Sequence, residues 1–255
     1  MKTNRQIDIM GIVNVTDDSY FAESRCSDTE AVLRRVSRMV EEGVDIVDVG
    51  ACSSRPGSVP VGADEEWRRL APVLPALREA FPDLRISVDT YWSSVVSRTY
   101  DTIGDFIVND ISAGDDDPDM LSLVGHLGLE YVAMHKCPDR DVIPYFKDFA
   151  VKAEEYGVMN WILDPGFGFA KTIEQNYEVL SHLGLIGNTF EEHRILVGVS
   201  RKSMIYKPLG ITQDDALSAT QAVHMAALMA GADILRVHDV RQARQTVALY
   251  KMLNS

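Results

Sequence analysis

Residues 195–203 read "ILVGVSRKS", an apolar run rich in β-branched side chains that stops at two hydroxyl and two cationic groups. A short run that is apolar at every position is typical of a strand buried on both faces, as in a parallel sheet covered by helices. Adjacent cations at its end indicate either a solvated loop or a place where an anion is bound. The remaining sequence has to decide between these two interpretations.

Runs of this kind occur along the whole chain, each bounded by polar residues or glycine. Their spacing of about 20 to 40 residues is the room that a crossover helix and two loops require. The predicted strands are "DIMGIVNV" (8–15), "DIVDVG" (45–50), "RISVD" (85–89), "FIVND" (106–110), "YVAMH" (131–135), "WILDPG" (161–166), "RILVGV" (194–199) and "ILRVHD" (234–239). A repeating strand and helix order predicts an α/β protein with a parallel sheet.

Amphipathic helical segments fill the spaces between these strands. One is "DTEAVLRRVSRMVEEG" (28–43), for which Asp28 is the predicted N-cap and Gly43 the residue after the helix. Another, "DDALSATQAVHMAALMAGA" (214–232), is predicted to close at Gly231. Near-continuous apolar strands alternating with helices favour a single closed (β/α)8 TIM barrel. An open doubly wound sheet is the alternative, but no GxGxxG follows the first strand.

The composition favours one domain with a large core, since 46% of the 255 residues are hydrophobic. We therefore predict one barrel domain over residues 1–255. With 25 basic and 38 acidic side chains the formal charge is -13, which repels nucleic acids and anionic membranes and favours a small-molecule partner. No stretch approaches about 18 uncharged apolar residues, so we expect a cytoplasmic protein with no membrane span.

The cysteines, Cys26, Cys52 and Cys137, are three in number and form no CxxC pair. This pattern is more typical of reduced thiols than of a disulfide framework. All three fall on loops predicted at the carboxyl ends of strands, where a metal or redox cluster is the alternative interpretation. Their irregular spacing disfavours such a cluster.

Polar residues follow almost every predicted strand. In a TIM barrel the chemistry takes place at the carboxyl ends of the strands, which meet at one mouth. In order, these residues are Asn14, the "SSRPG" loop (53–57), Asp89, Asn109, Asp110, His135, Asp164, residues 200–203, Arg236 and His238. Any one of them alone is more typical of a helix cap or a turn. Together they predict a polar pocket at the mouth.

Cations of this pocket come from the last two strands. Arg236 and His238 alternate along the final strand, so both side chains point to the same side, toward the mouth if Arg236 faces inward. The segment "SRKS" (200–203) lies where a loop passes into a helix N-terminus, which suits anions. We therefore predict that Ser203 and backbone amides hold a carboxylate while Lys202 projects into the pocket.

The motifs at the strand ends extend over nearly the full length of the chain. They are "MGIVNVTDDSY" (10–20), "SSRPGS" (53–58), "SVDTY" (87–91), "NDISAG" (109–114), "DPGFGFAKTIEQN" (164–176), "GVSRKS" (198–203) and "RVHDV" (236–240). In order and in content they resemble the motifs of the dihydropteroate synthase family of the folate pathway. The resemblance implies a homodimeric (β/α)8 barrel that condenses 6-hydroxymethyl-7,8-dihydropterin pyrophosphate with p-aminobenzoate, giving 7,8-dihydropteroate and pyrophosphate with Mg²⁺ as cofactor.

The resemblance also implies roles for individual residues. The metal would be contacted by Asn14, and the pyrophosphate by Asn14, Arg55, Arg236 and His238. The pterin would be held by Asp89, Asn109, Asp164 and Lys202. The p-aminobenzoate would lie near Pro56, Phe169, Lys202 and Ser203, and Ser54 would be a further substrate-binding residue. The catalytic residues would be Asp18, Asp89 and Lys202.

General chemistry agrees with these roles. A carboxylate such as Asp164 can accept two parallel hydrogen bonds from the amide edge and exocyclic amino group of a pterin, and Asn109 can donate and accept. Arg236 and a protonated or donating His238 would stabilise the charge of the departing pyrophosphate. The carbon left behind becomes electron-deficient, so a nearby carboxylate, Asp89 or Asp18, would offset its charge before the aryl amine attacks.

Several loops depart from the family pattern, among them the first two. In the first, Asp17 stands where proline is common, and "YFAESRCS" (20–27) replaces a glycine-rich segment. In the second, Cys52 replaces a glutamate and Ser54 a threonine. Two alternatives therefore remain: a pterin-dependent methyltetrahydrofolate methyltransferase and a non-catalytic pterin-binding relative. Lys202 and the pair of residues 236 and 238 favour the synthase over the methyltransferase.

Overall fold

The fold is a closed barrel of parallel strands, as predicted. The computed structural model describes residues 6–15, 25–51, 61–137 and 141–254, with only the backbone for 25–28. Each strand pairs with its neighbours in sequence, and β8 pairs with β1. The strands are β1 (Asp8–Asn14), β2 (Ile46–Gly50), β3 (Arg85–Asp89), β4 (Ile107–Asp110), β5 (Glu130–Met134), β6 (Trp161–Asp164), β7 (Arg194–Val197) and β8 (Ile234–Val237).

Every predicted strand is found, but β6, β7 and β8 each end two residues earlier than predicted. For β6 the reason is local. After β6, the backbone amide of Gly166 turns back to donate to the Asp164 carboxylate at 2.8 Å, and Gly166 has a φ of 71° that a strand does not allow. The polar residues after these strands therefore leave the ladder and line the mouth.

Helices cover the outside of the barrel. They are α1 (Arg25–Glu41), α2 (Ala63–Leu70), α3 (Val73–Ala80), α4 (Ser93–Ile103), α5 (Met120–Leu127), α6 (Val142–Glu155), α7 (Ile173–Ser181), α8 (Leu183–Thr189), α9 (Ser203–Leu209), α10 (Leu217–Met229) and α11 (Val240–Leu253), with a 3-10 turn at Asp214–Ala216. No helix in the described ranges has the length and apolar character needed to cross a membrane.

The helix ends confirm two predictions and correct one. Gly43 follows α1 with a φ of 89°, and Gly231 follows α10 with a φ of 103°, values that favour glycine. The predicted N-cap at Asp28 is wrong, because α1 begins at Arg25 and position 28 has helical backbone. Residues 25–27 contain neither glycine nor proline, so nothing in this stretch prevents the helix from extending upstream.

The barrel interior is layered along its axis. Its middle layer is apolar and takes a buried side chain from every strand except β3, namely Met10, Ile46, Ile107, Val132, Ile162, Leu196 and Ile234. On β3 the residue level with Ile107 is Ser87, which is fully buried. This layer separates a polar layer at the amino ends of the strands from another at the carboxyl ends.

The amino-end layer is a closed ion network. The Asp8 carboxylate accepts hydrogen bonds from Arg85 at 3.0 Å and from Arg194 at 2.9 Å. Arg85 also donates to Glu130 at 2.5 Å. Two arginines thus meet two carboxylates, and the network links four strands at the end of the barrel that usually serves stability.

The carboxyl ends of the first strands lie level with one another. Gly50 pairs with Asn14 on one side and Asp89 on the other, and Asp89 pairs with Asn109. A Cβ atom at residue 50 would lie 3.3 Å from that of Asp89, which is tighter than ordinary packing. The glycine therefore leaves room for the aspartate at the mouth.

Candidate active site

An arginine between two carboxylates forms the centre of the mouth. The Arg236 side chain is 15% exposed and donates through Nε to Asp48 at 2.7 Å and through Nη2 to Asp89 at 2.9 Å. Its remaining nitrogen, Nη1, makes no hydrogen bond within the described part of the chain. The prediction that Arg236 faces the mouth is confirmed, and this donor is left for a ligand.

Asp89 shares this arginine with Asp48, in surroundings that disfavour the ionised form of its carboxyl group. Burial raises the pKa of Asp89, the Arg236 cation opposes the shift, and the Asp48 carboxylate adds to it, so the pKa lies at about 7. A carboxylate that titrates near neutrality in a polar cleft is typical of a functional site. Asp89 is therefore placed, electrostatically and spatially, to respond to charge that develops at the mouth.

Asp48 is a site residue that the sequence analysis missed. It is fully buried and accepts hydrogen bonds from Arg236, from Ser87 Oγ at 2.6 Å and from Asn109 Nδ2 at 3.1 and 3.3 Å. The signal was present in "DIVDVG", where a charged residue interrupts an apolar strand at an inward position. Asp48 joins two predicted substrate-binding residues, Asn109 and Arg236.

Asp164 lies on the opposite side of the mouth. It is 8% exposed, and its Oδ1 accepts from the Gly166 amide at 2.8 Å. Burial raises the pKa of Asp164, whereas the Lys202 cation lowers it. The other carboxylate oxygen keeps its hydrogen-bonding capacity for a ligand.

Lys202 reaches the same region from β7, as predicted. Its ammonium group donates to the Phe167 carbonyl oxygen and lies 4.6 Å from the centre of the Phe169 ring, a cation–π contact. Burial lowers the pKa of Lys202 to about 8, with the Asp164 carboxylate opposing the shift. The predicted residues Asp164, Phe169 and Lys202 are thus brought together.

The loop after β6 is held by a second lysine, which the sequence analysis did not single out. Lys171 Nζ donates to the carbonyl oxygens of His135 and Gly166, both at 3.0 Å, and of Phe169 at 3.5 Å. Burial lowers its pKa to about 8, with the Asp164 carboxylate opposing the shift. This clamp ties the loop that carries Phe169 to the end of β5.

The stretch "SRKS" separates into two parts. Arg201, with a φ of 52°, turns away from the pocket and forms a bidentate ion pair with Asp239 at 2.8 and 3.0 Å. Lys202 precedes the first residue of α9, Ser203, which is half-buried. One of the two cations therefore anchors the loop and the other enters the site.

His238 lies at the rim of the mouth, two residues beyond Arg236. Its backbone amide and its Nδ1 both lie 3.2 Å from Ser200 Oγ. His238 is exposed at the rim, yet the protein around it removes part of its hydration, and this desolvation, followed by the Arg236 cation, lowers the pKa of His238. Of the two predicted forms, the neutral imidazole that donates one N–H is favoured at pH 7.

Some of the remaining predicted residues lie within the described ranges and others lie outside them. Asn14 ends β1 and is exposed at the mouth. Asp18, Ser54, Arg55 and Pro56 lie outside the described residues, as do the side chains of Cys26 and Cys52. Cys137 is a free, half-buried thiol, and His135 is buried edge-to-face against Tyr145 with ring centres 4.8 Å apart.

The chemistry of the mouth suits Mg²⁺ bound together with a phosphate. Among the described residues, no cluster of three or more His, Cys, Asp or Glu side chains forms a complete metal cage. Mg²⁺ does not require one, because it keeps several waters and usually takes one or two protein oxygens plus substrate phosphates. The exposed Asn14 side chain offers such an oxygen at a mouth rich in carboxylates.

Comparison with known proteins gives a consistent result. Residues 10–238 match the model of a family described as pterin binding enzymes. The chain is 35% identical to the dihydropteroate synthase of Clostridium beijerinckii, over 91% of this chain and 88% of that one. It is also 35% identical to the Bacillus subtilis dihydropteroate synthase, over 96% and 88% of the two chains.

Solved structures agree with these relatives. The Clostridium difficile dihydropteroate synthase, determined in the presence of pteroic acid, superposes with a TM-score of 0.86 at 35% identity, covering 98% of both chains. The Xanthomonas albilineans enzyme with 4-aminobenzoic acid gives a TM-score of 0.88 at 31% identity, covering 98% of this chain and 94% of that one. The likeness therefore extends over the whole barrel.

Proposed function

The chain belongs to the pterin binding enzyme family as one of its dihydropteroate synthases, and we propose that it condenses a dihydropterin pyrophosphate with p-aminobenzoate in folate biosynthesis. The observation that carries this proposal is the convergence of Asp164, Asn109 and Lys202 around Arg236 at one mouth. These groups supply a pterin-binding edge and an anion-binding donor within a single pocket. The activity is that of a transferase forming a C–N bond.

Pterin recognition rests on Asp164 and Asn109. Because Gly166 occupies Oδ1 of Asp164, Oδ2 and the remaining lone pair accept from the amide N–H and exocyclic amino group of the pterin. Asn109 directs its Nδ2 to Asp48, so its carbonyl oxygen faces away from Asp48 and accepts from the ring. Asp164 and the Asn109 carbonyl oxygen only accept hydrogen bonds from the pterin, and Lys202 donates one to it.

Bond cleavage places a growing negative charge on pyrophosphate. The C–O bond breaks with its electron pair leaving on the pyrophosphate oxygen, where Arg236 Nη1 and the His238 N–H donate. The ionised Asp89 carboxylate offsets the positive charge on the carbon, a role that Asp18 would share. Asn14 would hold Mg²⁺, which when bound would neutralise part of the pyrophosphate charge; Arg55 is the further proposed pyrophosphate ligand.

Attack by the aryl amine completes the reaction. The amine of p-aminobenzoate forms the new C–N bond and then loses a proton to water. Its ring would lie between Phe169 and the Lys202 stem, near Pro56 and Ser54, and its carboxylate would be bound by Ser203 at the start of α9. No side chain of the protein forms a covalent intermediate.

Heat stability and pyrophosphate release together test this proposal. We expect dihydropterin pyrophosphate to raise the melting temperature, and addition of p-aminobenzoate to the complex to release one pyrophosphate per dihydropteroate formed. Stabilisation without release would support the non-catalytic alternative. A methyltransferase would instead bind methyltetrahydrofolate and transfer its methyl group to a corrinoid protein. Absence of stabilisation by any pterin would exclude all three.

We propose further that the protein is a cytoplasmic homodimer. Exposed apolar side chains on α8, α10 and α11 support this, since apolar patches on a protein surface mark sites of protein contact. They are Leu185, Met229, Leu249, Met252 and Leu253. Light scattering would give the mass of two chains, and a monomer at micromolar concentration would contradict the proposal.

A further inference from the structure

Asp48 is buried more completely than any group that faces the substrates. Its carboxylate is fully inaccessible to water, where an ionised group is costly unless it is paired and hydrogen-bonded. Here it is satisfied by three donors: Ser87 Oγ at 2.6 Å, Arg236 Nε at 2.7 Å and Asn109 Nδ2 at 3.1 Å. Asp48 itself is therefore closed off from any ligand, while two of its partners face the mouth.

The geometry fixes what each of these partners can offer. Asn109 directs Nδ2 toward both oxygens of Asp48, so its carbonyl oxygen is turned the other way. Arg236 uses Nε for Asp48 and Nη2 for Asp89, which fixes the plane of the guanidinium group and the direction of Nη1. Without Asp48, both side chains would be able to turn.

We propose that Asp48 is the positioning residue of the reaction, orienting Asn109 toward the pterin and Arg236 toward the pyrophosphate. The inference rests on the proposed function, because it assigns to these two residues the ligands given there. Ser87 acts with Asp48 by fixing the carboxylate from below. A purely structural role would require only that the buried charge be neutralised, whereas positioning requires that a defined donor and acceptor pattern be presented.

The negative charge of Asp48 also raises the pKa of Asp89. The charged groups that act on Asp89 are Arg236 on β8, Asp48 on β2, Glu66 on α2, Asp110 on β4 and Lys202 in the loop after β7. Loss of the Asp48 charge removes a repulsion and leaves Arg236 more available to Asp89. Both effects favour the ionised form of Asp89. The acidic side of the pH profile of kcat/KM, its acid limb, should therefore move to lower pH.

The decisive variant is Asp48→Asn. The amide has nearly the same shape but places an NH2 group among three donors and removes the charge that holds Arg236. We expect kcat/KM for the pterin substrate to fall about tenfold or more, and its acid limb to shift to lower pH than in the wild type. A loss of activity with the acid limb unmoved would overturn the proposal, as would unchanged kcat/KM.

Asp8→Asn is the matched control at the other end of the barrel. Asp8 is also a buried aspartate held by arginine, so this variant reproduces the loss of a buried carboxylate. We expect its kcat/KM and acid limb to match the wild type. If Asp8→Asn shifted the acid limb of kcat/KM as Asp48→Asn does, the shift would reflect a general destabilisation of the barrel, and the proposal would be wrong.

Ser87→Ala covers the case in which Asp48→Asn does not fold. It keeps the charge of Asp48 but removes one of the groups that fix it, so we expect a loss of pterin affinity of about threefold, with the acid limb unmoved. Unchanged affinity in calorimetric titration with dihydropterin pyrophosphate would overturn the proposal. Wild-type protein that binds this pterin without releasing pyrophosphate would contradict the proposed function alone, since the same titrations still test Asp48.

Discussion

The two ends of the barrel interior use the same residue types to different effect. At the amino end, Asp8 and Glu130 meet Arg85 and Arg194, so carboxylates and cations are equal in number. At the carboxyl end, Asp48 and Asp89 share Arg236. One end is electrostatically complete, whereas at the other burial, with the Asp48 carboxylate adding to it and Arg236 opposing it, raises the pKa of Asp89 to about 7.

This difference separates stability from function within one fold. Arg85 and Arg194 keep 39% and 30% of their side chains exposed, so these two cations remain hydrated while they neutralise the buried Asp8, and the network is complete without a ligand. At the carboxyl end, Arg236 is only 15% exposed and serves two carboxylates. This incomplete pairing costs stability in the free protein, and bound substrate would complete it. Substitutions at the two ends should therefore fail in different assays.

The largest effect is expected at Asp164. In Asp164→Asn the amide oxygen would stay with the Gly166 N–H, so the NH2 group would oppose the donors of the pterin. We expect pterin affinity to fall by on the order of 2 to 4 kcal/mol, measured by calorimetric titration, with the melting temperature of the free protein nearly unchanged. A loss of less than about threefold, or roughly 0.65 kcal/mol, would contradict this assignment.

The converse pattern is expected at Asp8. Asp8→Asn leaves two arginines facing a neutral group, and we expect the free energy of unfolding to fall by about 2 kcal/mol, less than for a fully buried pair because both arginines are partly exposed. Urea denaturation measures the loss. Pterin affinity should stay within about twofold of the wild type, and a larger change would show that the two ends are coupled.

Neighbouring residues of "SRKS" should differ in the substrate that they affect. Lys202→Ala should weaken pterin binding and turnover together, whereas Ser203→Ala should mainly raise the KM for p-aminobenzoate, by about 1.5 kcal/mol or roughly tenfold. The amide of p-aminobenzoate is the control, because it lacks the anion and should reduce the penalty at Ser203 alone. Equal penalties for acid and amide would leave Ser203 as a helix-start residue.

The smallest effect should be a gain in stability at Asp89. Its folded pKa, about 7, lies above the ordinary value of 3.8, so ionising Asp89 costs stability; this cost is full above pH 7 and declines as the pH falls from about 7 toward 3.8. Asp89→Asn should therefore stabilise the ligand-free protein at pH 8 by about 1 kcal/mol while lowering activity. Denaturation of both proteins at pH 8 and pH 6 gives the comparison, and a destabilised variant at pH 8 would contradict it.

The sequence predicted the barrel well because every strand is an apolar run with a polar end. It also predicted that Asp89, Asn109, Asp164 and Arg236 would meet, since parallel strands end at one mouth. Asp48 was missed because it lies inside a strand, and only the register that sets it level with Ser87 shows its neighbours. Lys171 was missed for another reason: its partners are backbone carbonyls, which leave no side-chain pattern.

The Lys171 clamp has a consequence for how this pocket can diverge. Its three partners are carbonyl oxygens of residues 135, 166 and 169, and a carbonyl is present whatever side chain the residue bears. The hydrogen bonds that hold the backbone of the β6 loop therefore do not depend on the aromatic ring at position 169. New acceptor amines of different bulk could be accommodated by exchange of that ring alone, with Asp164 and the pterin edge kept in place.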